Sequence, residues 1–188
     1  MRSWTIDNSV TSRLRDFNSR LWCSSQWIRL LIITLLAQCS LPAWPAASIH
    51  VIGNPVTKDL HPDVTMLVNI FKRKMRVDKE GKTLIPVNLP VDHPLRSVFS
   101  MTLFGQQPEA MERYWNEQYF KGISPPFVLS SMEAIRRFVA STPGAIGYVM
   151  DCQSKEGVEM LLDIALSSDQ QRKLAGLCEA EAARPGQP

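Results

Sequence analysis

Histidine, long apolar runs and an excess charge of either sign are all scarce in this chain, and each scarcity excludes something. The three histidines, His50, His61 and His93, lie apart in the sequence. None falls in H-E-x-x-H or in a Cys/His spacing that holds zinc. No G-x-S-x-G elbow and no G-x-x-x-x-G-K loop occurs. The common sequence signs of an acyl-transfer nucleophile and of a nucleotide-phosphate cradle are therefore missing, and the chain reads as a non-enzyme without a cofactor. The apolar run Leu30–Ala37, broken only by Thr34, has eight residues. A helix that spans a bilayer needs roughly 20.

Net charge is confined to one end. Of 21 basic and 18 acidic residues, five arginines (Arg2, Arg13, Arg15, Arg20, Arg29) and two aspartates (Asp7, Asp16) fall in residues 1–48. The formal charge of +3 sits there, and residues 49–188 balance 16 bases against 16 acids. A balanced domain has no general electrostatic hold on nucleic acid. In the leader, the order of basic stretch, apolar run and small residues (Ala46-Ala47-Ser48) reads as a secretory signal peptide, which implies a periplasmic protein. The stretch before Arg29 is long for such a leader and points to a start downstream of Met1. Leu36-Ala37-Gln38-Cys39 approaches a lipoprotein box, but Gln38 is too large for its position. The division that follows is 1–47 signal peptide, 48–165 folded domain, and 166–188 a C-terminal helix with a disordered tail.

Four cysteines sort the same way: Cys23 and Cys39 lie in the leader, Cys152 and Cys178 in the mature chain. In an oxidising compartment the second pair either bridges or serves as two independent apolar residues.

Along the mature chain, Ser48–Gly53 is β-branched and alternating, a strand that Asn54-Pro55 ends. Val64, Leu67, Val68 and Phe71 fall at helical spacing, with Pro62 suited to the first helical position. A polar turn at Gly81 leads to a second strand, Leu84–Leu89, which Pro86 places at an edge or at the start of pairing. A helix from Pro94 buries Leu95, Val98, Phe99, Thr102 and Leu103 and ends at Gly105. Another runs from Pro108 to Gly122. Pro125-Pro126 forces an extended link. Ser130 and Glu133 fit a capping box for a helix with Ile135, Phe138 and Val139 inward. Ala145–Val149 is apolar throughout and belongs in the middle of a sheet. Val158–Leu162 reads as strand or helix, 168–183 as helical. Strands separated by helices imply a mixed or parallel sheet flanked by helices, an α/β domain.

Three stretches resemble the substrate-binding proteins of phosphate ABC transporters. They are Val64–Phe71, Ile85-Pro86-Val87-Asn88-Leu89 with Arg96-Ser97-Val98-Phe99, and Ser141-Thr142-Pro143-Gly144-Ala145-Ile146-Gly147-Tyr148-Val149. Tyr114-Trp115, Phe120-Lys121-Gly122 and Pro125-Pro126 extend the resemblance to a short-chain branch of that family. The resemblance implies a type II periplasmic-binding-protein-like lobe, a phosphate-like anionic solute, and an ABC permease as partner. It covers residues 49–150, about one lobe where the family has two. Where that family carries Ser-Gly-Thr-type hydroxyls after the second strand, this chain reads Val91-Asp92-His93-Pro94-Leu95-Arg96.

The strand-to-helix junction 90–97 is the candidate site. Free N–H groups and the helix dipole favour an anion there, Arg96 offers a bidentate grip, His93 a titratable donor, and Ser97 a hydroxyl. The competing reading makes Asp92 a cap and Arg96 a solvated residue. Asn54 ends the first strand, as a second ligand residue or as a turn former. Lys72-Arg73-Lys74-Met75-Arg76, with Lys79 and Lys82, reads as a solvated face, or else as a contact for an acidic partner or lipid head groups. Tyr114, Trp115, Tyr119 and Phe120 read as the packed face of one helix rather than a binding platform. Function is then an exported solute-binding module. The alternative is a single lobe that binds an envelope protein, or a second copy of itself, without a small ligand.

Overall fold

The computed structural model describes residues 47–183. The leader and the tail 184–188, with the expectations placed on them, lie outside the described residues. No helix among the described residues is long and apolar enough to cross a membrane.

Five strands form one mixed sheet: β1 (Ser48–Gly53), β2 (Ile85–Asn88), β3 (Phe127–Val128), β4 (Ala145–Met150) and β5 (Glu159–Ala165), in the order β3-β2-β4-β1-β5. β2 runs parallel to β3 and β4, whereas β1 runs antiparallel to β4 and β5. The α/β expectation of a mixed sheet flanked by helices is met. β4 is central, and its all-apolar composition follows from burial on both faces. β2 is not an edge. Its pairing with β3 begins at Val87, one residue past Pro86, so the proline sits where pairing starts. The edge beyond it is β3, two residues within the stretch expected only to be extended.

The helices are α1 (Val64–Phe71), α2 (Pro94–Phe104), α3 (Glu112–Tyr119), α4 (Met132–Ser141), α5 (Ser168–Lys173) and α6 (Leu177–Ala182). Short 3-10 turns cover Pro55–Thr57 and Pro108–Met111. α1 starts after Asp63, whose carboxylate accepts the Met66 N–H at 2.6 Å, so Pro62 precedes the cap instead of opening the helix. α2 opens on Pro94 and closes on Gly105 at φ 65°, as its sequence requires. α4 is capped by Ser131, not Ser130: its Oγ accepts the Ala134 N–H at 3.1 Å. Glu133 is drawn instead to Arg136, Arg137 and Gln153. The C-terminal helical stretch is broken at Gly176, which takes φ 77° between α5 and α6.

The sheet carries α1 and α2 on one face and α4 on the other. Tyr148 of β4 is fully buried and stacks on Phe99 of α2 with ring centroids 3.7 Å apart, and Phe71 of α1 meets Phe99 at 5.0 Å. On the opposite face a Cβ at Gly147 would overlap Ile135 of α4. Gly144, at φ 80°, passes beneath the carbonyl of Thr83 with no room for a side chain. The Thr142–Val149 string is thereby accounted for by a tight turn and two-faced packing. Leu166, Leu174, Leu177 and Cys178 join the core, so α5 and α6 are part of the domain's packing.

The aromatic residues of α3 do not pack as the spacing suggests. No residue of α3 is buried; Tyr119 is 70% and Phe120 89% exposed. Helical spacing groups side chains on one face but does not supply an element to cover it. The basic run also departs from a single solvated face. Arg73 turns inward and donates to the Leu84 carbonyl at 3.2 Å, and the Lys72 ammonium lies over the rings of Phe104 and Tyr114.

Candidate functional site

α2 leaves the carboxyl end of β2, the edge of an open sheet where ligands gather. Its N-cap is His93, whose Nδ1 accepts the Leu95 N–H at 3.1 Å. Nε2 therefore carries the ring proton and donates to Oε1 of Glu181 in α6 at 3.3 Å. Both side chains are buried. His93 is thus the cap that the sequence reading gave to Asp92, which is exposed.

Arg96, in the first turn of α2, is only 7% exposed rather than solvated. Among the described residues its Nε has no hydrogen-bond partner and no carboxylate lies within ion-pair distance. Burial pushes the guanidinium below its usual pKa, while Tyr148 and Glu109 pull it part of the way back. Tyr148 accepts the Leu89 N–H at 3.3 Å, and burial pushes its hydroxyl up to about 12. Ser97 Oγ donates to Oε1 of Gln107 at 2.6 Å, which ties α2 to the segment after it.

Asn54 is elsewhere. Its Nδ2 donates to the carbonyls of Val139 and Ala140 at 2.9 and 3.1 Å, and its Oδ1 accepts the Val56 N–H at 3.1 Å. Because β1 is antiparallel to β4, the carboxyl end of β1 lies at the amino ends of β2 and β4: Gly53 pairs with Ile146, and Pro86 also pairs with Ile146. Asn54 sits level with Ala145. Asn88 sits level with Tyr148, three residues further along the sheet, or about 10 Å at 3.3 Å per residue. The fold brings His93, Arg96 and Ser97 to one helix start and puts Asn54 at the opposite edge.

Two residues at the site were not singled out from sequence. Asn88, at the end of β2, is 4% exposed, and among the described residues its Oδ1 has no partner. A polar residue that closes an apolar strand was the available signal. Glu181 had none, because only the path of the chain after β5 brings it to α2. The edge thus holds a buried donor, Arg96 Nε, and a buried acceptor, Asn88 Oδ1, neither of them used within the fold.

The remaining polar clusters lie apart from this junction. His50 in β1 has Nε2 at 3.1 Å from Ser48 Oγ and 3.6 Å from Asp163 Oδ1. Burial lowers its pKa, with Lys155 acting in the same sense against Asp163 and Asp151. Among the described residues, the group of three side chains close enough to share a metal is Asp151, Cys152 and Cys178. Those two cysteines are joined in a disulfide, Cα–Cα 6.2 Å, which removes both thiolates. A groove of about 910 Å³ along α3 is lined by residues that include Lys72, Glu109, Arg113, Tyr114 and Phe120.

No family model matches the chain, and no curated protein matches it. Solved structures similar in fold include these three. One is a phosphate ABC transporter substrate-binding protein with bound phosphate from Clostridium perfringens, 18% identical, TM-score 0.48, over 62% of this chain and 45% of that one. The second is an ABC-type phosphate transport receptor from Vibrio cholerae, 12% identical, TM-score 0.49, over 73% and 66%. The third is PstS from Borrelia burgdorferi, 16% identical, TM-score 0.47, over 65% and 49%. The chain spans between 45% and 66% of the length of these structures.

Proposed function

We propose that the domain is an exported solute-binding module that takes a small oxyanion at the start of α2, with Arg96 as the principal charge and His93 and Ser97 at its rim. The observation that carries this reading is Arg96: a guanidinium 7% exposed whose Nε is unused. A buried cation without a counter-charge costs stability. Such a cost is retained at sites where an incoming group supplies the missing charge. The helix dipole acts in the same sense. Phosphate is the first anion to test, and an ABC permease is the partner that such a module would serve.

The test is calorimetric titration of phosphate and other oxyanions into the wild-type domain and into Arg96→Met. The substitution removes a buried unpaired charge and fills its volume with an apolar side chain, so the fold keeps or gains stability. Binding falls about 10- to 100-fold, the equivalent of a hydrogen bond to a charged group. A variant that is stable and binds as well as wild type refutes the reading. If no anion gives heat with the wild type, the protein-interaction alternative takes its place. The exposed Tyr119, Phe120, Phe127 and Val128 are then the surface to probe.

A further inference from the structure

The C-terminal helix brings a carboxylate to the His93 rim of the place proposed for the anion. The Glu181 side chain in α6 is 9% exposed, and its Oε1 stands 3.3 Å from Nε2 of His93. Among the described residues, that imidazole is its hydrogen-bond partner. The other nitrogen of the ring already holds the Leu95 N–H, so the carboxylate is one imidazole away from the first turn of α2.

What holds α6 in position is equally specific. The helix has six residues, too few to persist alone in water. Cys178 lies three positions before Glu181, on the same face of the helix. It is bonded to Cys152 in the loop between β4 and β5. Leu177 and Cys178 also touch the core. The disulfide adds a covalent hold to that packing.

We propose that Glu181 screens the anion site at the start of α2 from its His93 rim, and that the Cys152–Cys178 disulfide is the latch that keeps it there. The inference rests on the anion-binding reading of α2. With the latch closed, a tethered carboxylate at His93 repels a soluble anion that approaches the same helix start. With it open, α6 is free to leave, His93 is uncovered, and the site is available. Opening requires a dithiol reductant. One of its thiolates attacks a sulfur of the bridge to form a mixed disulfide, and its second thiol releases the protein. The reductant gives up two electrons and two protons and becomes a disulfide, while Cys152 and Cys178 become two thiols.

The experiment uses the full chain after export. Phosphate is titrated into the oxidised wild type, the wild type reduced with dithiothreitol, Glu181→Gln and Arg96→Met. Glu181→Gln keeps the shape and an acceptor for His93, so it tests charge and not folding. The expected result is a gain in phosphate affinity of about tenfold or more for Glu181→Gln and for the reduced wild type over the oxidised wild type. A second reading needs no ligand: amide exchange at residues 93–98, expected to be at least about tenfold faster after reduction. Phosphate binding that Arg96→Met weakens but that neither Glu181→Gln nor reduction alters overturns the latch alone. Amide protection at 93–98 unchanged by reduction overturns it as well. Absence of phosphate binding in every form, Glu181→Gln and reduced protein included, overturns both the latch and the anion site.

Discussion

Glu133 shows how one side chain is reassigned by its surroundings. Sequence spacing made it half of a capping box. In the fold its carboxylate accepts from Arg136 at 2.7 and 2.9 Å, from Arg137 at 2.7 Å and from Gln153 at 2.6 Å. Arg136 also donates to the Glu156 carbonyl at 2.9 Å, so the cluster ties α4 to the loop between β4 and β5. Arg136, with help from Arg137, lowers the Glu133 pKa from 4.5 to about 2. A carboxylate with a depressed pKa stabilises the fold above its unfolded value and loses that contribution as pH falls through the folded value. Thermal unfolding of wild type and Glu133→Gln is therefore expected to differ at pH 6, with the wild type the more stable. The gap closes between about 4.5 and about 2. A gap independent of pH over that range would show that Glu133 acts by shape rather than charge.

Elements were legible where one stretch of chain carries its own instructions. α2 has a proline at its start, a glycine at its end and an apolar stripe between, and it forms as read. β1 and β4 follow from alternation and from an apolar run. α3 was misread because amphipathic spacing says which residues share a face and nothing about what meets that face. Its exposed Tyr119 and Phe120 are a tertiary outcome. The disulfide belongs at this scale too, since it joins the β4–β5 loop to α6 across 26 residues. Closing a loop of that length removes about 3 to 4 kcal/mol of unfolded-chain entropy. Cys152→Ser with Cys178→Ser is expected to lower the denaturation free energy by about that amount in urea titrations. A loss under about 1 kcal/mol would show that packing of Leu174 and Leu177 alone secures the C-terminal helices.

At the scale of the molecule, strand direction decided which candidate residues meet. Asn54 and Arg96 both follow a strand, and nothing local says that β1 and β2 run in opposite senses. The antiparallel pairing of β1 with β4 sends Asn54 to the far edge, where it satisfies Val139, Ala140 and Val56. Asn54→Ala leaves those groups unpaired and is expected to cost about 1 to 3 kcal/mol of stability. Affinity for phosphate is expected to stay at the wild-type value, since the site is at the other edge. A loss of binding in a folded Asn54→Ala protein would mean that the two edges are coupled.

What the sequence determined by itself was local: the proline start and glycine stop of α2, the strand character of β1, β2 and β4, the α/β class and the charge balance of residues 49–188. These rest on interactions a few residues apart, whose period and turn chemistry are written in order along the chain. The tertiary structure alone decided that Arg96 is buried without a counter-ion, that His93 rather than Asp92 caps α2, that Glu181 lies over it, and that Asn54 does not. Those facts depend on strand order, strand direction and the return of a distant helix. Such long-range closures are chosen by how the whole core packs, not by the residues on either side.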